Sequence, residues 1–463
     1  MAKNLTRDMT NGSPPKLIFG FFFPLLFGLL FQQVYNMVDT IVVGRFLGVQ
    51  ALAGVGSTGS LNFLVLGFCV GICNGFVIPV AQKFGERDFR GLKLFAVNAI
   101  MLAVLCSIAL MLVVCVFCKE FLLWMNTPAD ILEDAYNYIF VVFLGIPVIF
   151  IYNVLFGIIR SLGDSRTPVI YLVICSLLNV VLDLLFVVGF GMGVGGAAWA
   201  TVISQAISSL LCVNYIRHCD MLIFTKEDWH FHGECVKKLF AMGIPTGLQY
   251  SITAIGSIIL QTSVNTLGSV FVASVATGNK VGQLFCCPFD ALGSTMITYG
   301  GQNVGAKKLD RIQKGLVSCS LMGIAYAVLA FCILFFFGGA FAQIFVSAKE
   351  TEVIANAHLF IKFNAAFYIP LAFVNILRFL IQGLGFSKKA MLAGVCEMVA
   401  RAVVGFSMVP LLGFTAVCIA SPAAWLAADA FLVPAYFYAM KRLRRELNQP
   451  LNAQPLPCKA IGE

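Results

Sequence analysis

At 463 residues, with 60% hydrophobic side chains, 11% charged and a mean hydropathy of +0.91, the chain falls outside the ordinary soluble globular class. Its formal net charge of +9 would suit a polyanion, but the charge is segregated loop by loop, as a membrane demands. The sixteen cysteines lie mostly in apolar stretches, where they act as small hydrophobes.

A membrane-spanning helix needs about 20 apolar residues. Twelve spans are predicted, at 17–43, 51–80, 92–117, 132–159, 167–190, 194–217, 237–266, 270–298, 312–345, 354–381, 388–411 and 414–440. The fold class is therefore an all-α polytopic membrane protein. Of the 31 Lys and Arg, 24 fall in the tails and in alternate loops, so the positive-inside rule puts both termini in the cytoplasm. The basic run Lys441–Arg445 then reads as an orientation signal and lipid contact, with no role toward nucleic acid. The first hydrophobic stretch is too long and polar-studded for a cleavable leader, and is expected to stay. Asn4-Leu5-Thr6 fits a glycosylation pattern but lies on the predicted cytoplasmic side.

The first span carries one acid, Asp39, in an otherwise membrane-grade segment. A carboxylate there costs roughly 2.5–3.5 kcal/mol and calls for a partner, a watery cavity or a proton. Gln32, Tyr35, Asn36 and Asp39 follow helical spacing and are expected along one side, away from lipid; Pro24, several turns earlier, can bend the same helix. A polar patch that merely holds helices together is the alternative. In the second span, Gly67, Gly71 and Gly75 form small-xxx-small steps that let backbones approach.

Ala81–Arg87 after the second span matches Gly301–Lys307 after the eighth, and Ser161–Gly163 matches Gly383–Gly385, at offsets of 220 and 222. A near-constant offset argues for an internal repeat. Each half holds an even number of spans, so the two six-helix bundles share one orientation and are expected to enclose a central cavity. The divisions are a tail at 1–16, an N-lobe at 17–217, a linker at 218–236, a C-lobe at 237–440 and a basic tail at 441–463. His230, His232 and Cys235 cluster in the linker and read as solvated linker residues.

Two G-x-G-x-x-G matches, at Gly54 and Gly191, lack the strand–turn–helix context that dinucleotide binding needs. No phosphate loop is present, so ATP is not expected as an energy source. Cys115-x-x-Cys118 has no second pair to make a metal site.

Spans five and six hold a second polar group. Asn179 and Asp183 lie four residues apart on one face, and Thr201 and Gln205 repeat the spacing across a short hairpin. With Asp39 they give two carboxylates, a carboxamide and a hydroxyl from three helices. Paired carboxylates in low dielectric can hold a proton, and the same hard oxygens can coordinate Na⁺; a buried hydrogen-bond network is the alternative. Further embedded charges are Lys280, Asp290, Arg378, Glu397, Arg401 and Asp429. Glu397 and Arg401, four apart, are expected to pair with each other, and Lys280, without a partner on its helix, to face the central cavity.

QQVYNMVDTIVVGRFLG in the first span, the AQKFGERD and GQNVGAKK loops, RSLGDSRTP, GIPTGLQ at 243–249 and the repeat together resemble the multidrug and toxic compound extrusion (MATE) family over about 17–440, most closely its DinF-like prokaryotic branch. The resemblance implies a plasma-membrane antiporter that exports cationic or amphipathic organic compounds against H⁺ or Na⁺. It also implies a cation-coupling cluster at Asp39, Asn179, Asp183 and Thr201 and a hinge at Pro24. No cofactor beyond the coupling ion is expected, and the chain is expected to be a monomer. The NorM-like branch carries an acid in span seven; here Gln249–Thr253 has none, so a C-lobe cation site of that type is not expected. The alternative function is a flippase or exporter of a lipid-linked metabolite. Such cavities are rich in basic residues, and only Lys280, Arg378 and Lys362 offer themselves.

Overall fold

The computed structural model describes residues 7–448 except Asn126; the 4–6 sequon and residues 449–463 of the basic tail lie outside the described residues. Among the described residues the chain is helical throughout, without strands. Among the described residues nine helices are long and apolar enough to cross a membrane, and two bent pairs raise the number to eleven. The twelfth span is Gly233–Asn265, whose 33 residues extend about 50 Å. Polar Ser, Thr and Gln side chains on it make it less apolar than its neighbours.

In order, the spans are Pro14–Phe46, Gly59–Glu86, Phe89–Val116, the pair Leu132–Leu144 and Ile146–Ser161, Arg166–Gly189 and Gly193–Arg217. The second half runs Gly233–Asn265, Ser269–Gly305, Leu309–Ala342, the pair Thr351–Ala366 and Tyr368–Gly383, Ser387–Leu412 and Phe414–Asn448. The last helix carries the first eight residues of the expected basic tail as a continuous extension. The linker is less solvated than expected: Asn98, buried in span three, accepts from the His232 amide at 3.0 Å and donates to the His230 carbonyl at 3.2 Å. It is their backbones that are held; both histidine side chains are exposed.

The halves repeat in fine detail. Spans four and ten are both bent, by 47° and 54°. Spans five and eleven both carry a π-helical turn toward their C-terminal ends, Leu184–Gly189 and Val404–Met408, the second followed by a last α-turn at Val409–Leu412. Left-handed backbone recurs at Arg87 and Lys307, and at Gly163 and Gly385. The halves also exchange their leading ends: Ile18, Phe21 and Leu25 of span one pack into the C-lobe core, and Leu239 of span seven packs into the N-lobe core.

Close packing concentrates at the end carrying the basic loops. There the two repeated loops meet about a local twofold: a Cβ on Gly85 would fall 1.9 Å from the Gln302 carbonyl oxygen, and one on Gly305 1.9 Å from that of Gln82. Gln82 donates to the Gly383 carbonyl at 3.1 Å, and Gln302 to that of Ser161 at 2.9 Å. Spans two and seven cross at Gly71 against Gly247 and Gly75 against Gly243, so the glycine steps of span two serve the contact between lobes. Away from the basic end the lobes part around a cavity of about 510 Å³, walled by both halves.

Candidate functional site

Two polar constellations sit inside the bundle. The first is in the N-lobe. Asp183 is the last α-helical residue before the π turn of span five, and π turns, which leave a wide backbone step, concentrate at functional positions. Asp183 and Asn179 are fully buried. Asn179 Nδ2 donates to Thr201 Oγ1 at 3.3 Å, and Thr201 Oγ1 donates to the Ala197 carbonyl at 3.2 Å. The carboxyl groups of Asp39 and Asp183 lie within hydrogen-bonding reach of each other.

Two carboxylates can share such a contact only through a proton or a cation. Otherwise Asp39 Oδ1, both Asp183 oxygens and Asn179 Oδ1 remain buried acceptors without a donor among the described residues. Gln205 Oε1, one turn along from Thr201, is in the same condition. Buried acceptors are nearly always satisfied, so this gathering of hard oxygens is chemically suited to a proton or a small cation. The donor set is all hard oxygen, which fits H⁺ or Na⁺.

The first-span residues divide. Gln32 lines the central cavity, and Tyr35, one turn on, stands in the electrostatic reach of Asp39 and Asp183. Asn36 is exposed, because it follows Tyr35 by 100° round the helix and both cannot face the site. Span one runs unbroken through Pro24, which leaves the Gly20 carbonyl without its usual amide. Sequence reasoning missed Tyr138 of span four, a neighbour of Asp39, Tyr35 and Asp183. A tyrosine at the start of an apolar run, beside the polar Glu133, Asp134 and Asn137, gave no signal that it faces another helix's acids.

The second constellation belongs to the central cavity. Glu397 accepts a hydrogen bond from Arg378 of span ten with one oxygen, while its other lies 3.7 Å from Arg401. The expected Glu397–Arg401 pair is thus half of a three-residue bridge, whose closer member comes from another helix. Arg378 Nε and Arg401 Nη1 have no partner among the described residues. Asp290 lines the cavity wall, where its side chain is exposed to the cavity. Gln249 also lines the cavity and accepts from the buried Gln382. Lys280 differs from expectation: it is exposed, with Nζ 5.7 Å from the Phe345 ring centre, and is not on the cavity wall. A long flexible ammonium is better placed over an aromatic face near the membrane boundary than unpaired in the interior.

Comparison with known proteins agrees with this architecture. The MatE family model matches residues 24–185 and again 245–407, one match in each half. The chain is 26% identical over 388 residues to the probable multidrug resistance protein YpnP of Bacillus subtilis (strain 168), covering 83% of this chain and 85% of the relative. It is 28% identical over 349 residues to YoeA, a probable multidrug resistance protein of the same organism, covering 74% and 75%. A crystal structure of MATE in complex with MaL6 superposes with a TM-score of 0.87 at 21% identity, covering 97% of this chain and all of that one. A multi-pass helical fold and a family-model match in each half define the class. The chain belongs to the MATE family of multidrug efflux transporters and is not an enzyme.

Proposed function

We propose that the protein is a secondary antiporter that exports small amphipathic organic compounds by alternating access, driven by H⁺ or Na⁺ entering at Asp39 and Asp183. The observation that carries this reading is the group of donor-less oxygens on Asp39, Asn179 and Asp183. A cation bound there supplies the missing partner and rearranges the Asn179–Thr201 hydrogen bond. Span one can follow, because Pro24 has already removed one of its hydrogen bonds. With the basic end in the cytoplasm by the positive-inside rule, the tight Gly85–Gln302 packing closes the inner face and the cavity opens outward. Cation and substrate must each favour a different state for exchange to be coupled.

The test is cellular. Cells expressing the wild type are expected to accumulate less of a fluorescent amphipathic dye than empty cells, and cells expressing Asp39→Asn or Asp183→Asn at equal membrane abundance to accumulate as much as empty cells. Full export by both variants would refute the reading.

A further inference from the structure

The wall of the central cavity carries Arg160, Arg378 and Arg401 against Asp290 and Glu397. The C-lobe guanidiniums have acidic neighbours: both share Glu397, and Asp290 and Asp429 stand in the electrostatic reach of Arg378. Arg160, on the N-lobe wall, does not. Among the described residues no carboxylate oxygen lies within 4.0 Å of its nitrogens. Its contacts are Asn74 Oδ1 at 2.9 Å and the Phe156 ring, whose centre is 5.9 Å away.

A guanidinium is always charged, and inside a protein it needs an anion or water. The fold does not call for a cation here. The internal repeat puts Gln382 at the equivalent position, where a neutral carboxamide donates to Gln249 Oε1. Tyr250 of span seven lines the same cavity wall as Asn74 and Arg160, so polar groups from both lobes face the cavity there. Tyr152, Phe156, Phe379 and Trp425 give the surrounding wall aromatic faces.

We propose that Arg160, with Asn74 and Tyr250, is the anion-receiving end of the substrate pocket, so that the preferred substrates carry a carboxylate or similar oxyanion on an aromatic frame. This rests on the efflux reading above and revises its charge: the cation site lies apart, at Asp39 and Asp183, neither of which lines the cavity. Guanidinium–carboxylate pairing in a site shielded from water is worth more than a neutral hydrogen bond and fixes orientation.

The experiment compares three probes on one ring system, 1-pyrenecarboxylate, the neutral 1-pyrenecarboxamide and 1-pyrenemethylammonium, binding to the full-length protein in nanodiscs. Wild type is expected to bind the carboxylate at least about tenfold tighter than the amide. Arg160→Gln is expected to bring that ratio close to one at an unfolding temperature near the wild type's, and Arg160→Lys to keep part of it. Equal binding of carboxylate and amide by wild type, a ratio that survives in Arg160→Gln, or no binding of any probe overturns the proposal. Export of the three probes from proteoliposomes separates the two readings. Gradient-driven export without a carboxylate preference contradicts this subsite alone; no export of any probe contradicts the antiporter.

Discussion

Asp183 and Asp39 present more acceptor oxygens than the surrounding protein can supply with donors. Replacing either carboxylate by its amide removes charge from an apolar interior and adds N–H groups facing those acceptors. Asp183→Asn is therefore expected to raise the unfolding temperature in detergent while export falls at least about tenfold, the trade typical of strained functional sites. A variant that loses stability and export together would point to a structural network instead. Asn179→Ala should weaken export less, since it removes one of several oxygens. At this scale the sequence was informative wherever a polar side chain interrupts an apolar span, which is how Asp39, Asn179, Asp183 and Thr201 stood out. Tyr138 and the Arg378–Glu397 bridge were not legible, because each is made by residues far apart in the chain whose spacing carries no signal.

Helix-scale features explain how such a site can be both built and moved. The twelve spans and their repeat followed from hydropathy and from loops matching at offsets of 220 and 222. The π turns did not, since one extra residue in a helical turn leaves the composition unchanged. The bends of spans four and ten fall where Gly145 and Phe367 each precede a proline by two or three residues, so the first turn of the following helix starts afresh. Pro24 makes a corresponding prediction. Pro24→Ala gives the Gly20 carbonyl its amide back, and is expected to stiffen span one and slow export several-fold, by about 1 kcal/mol at the barrier, without changing substrate affinity. Transport rates against substrate concentration check this. A raised KM with an unchanged maximal rate would assign Pro24 to binding.

Across the whole molecule, residues 8–12 strap the basic end shut. The Met9 amide donates to Gln302 Oε1 at 2.9 Å, and Arg311 and Lys308 donate to the carbonyls of Gly12 and Thr10 at 2.8 and 2.9 Å. On the other lobe, Asp8 pairs with Arg87 at 3.5 Å, and the Arg7 carbonyl packs against Gly163. One short segment thus ties both lobes at the basic end, the face that, in the orientation proposed above, must open for substrate to enter. Removing residues 7–12 is expected to raise the labelling rate of a cysteine placed at Ser161 by an impermeant maleimide applied from the basic side; an unchanged rate would show the strap to be passive.

Partial burial pushes the Asp8 carboxyl up, but hydrogen bonds from Thr10 and Asn11 and the Arg87 charge outweigh it and hold the group below the usual carboxylate range. A lowered value in the folded state gives stability that is complete above about pH 4 and is lost as pH falls through that lower value. The strap should therefore hold unchanged from pH 5 to 8, and Ser161→Cys labelling should rise only in stronger acid.

The central claim, that cation entry at Asp39 and Asp183 drives export, is tested most directly in proteoliposomes loaded with a fluorescent organic substrate under either an imposed pH gradient or an imposed Na⁺ gradient. The account predicts that one gradient drives wild-type export, that the other does not, and that Asp39→Asn abolishes the driven component while leaving the liposomes equally tight. Export that ignores both gradients, or that survives in Asp39→Asn, would contradict it and return the N-lobe cluster to a structural role.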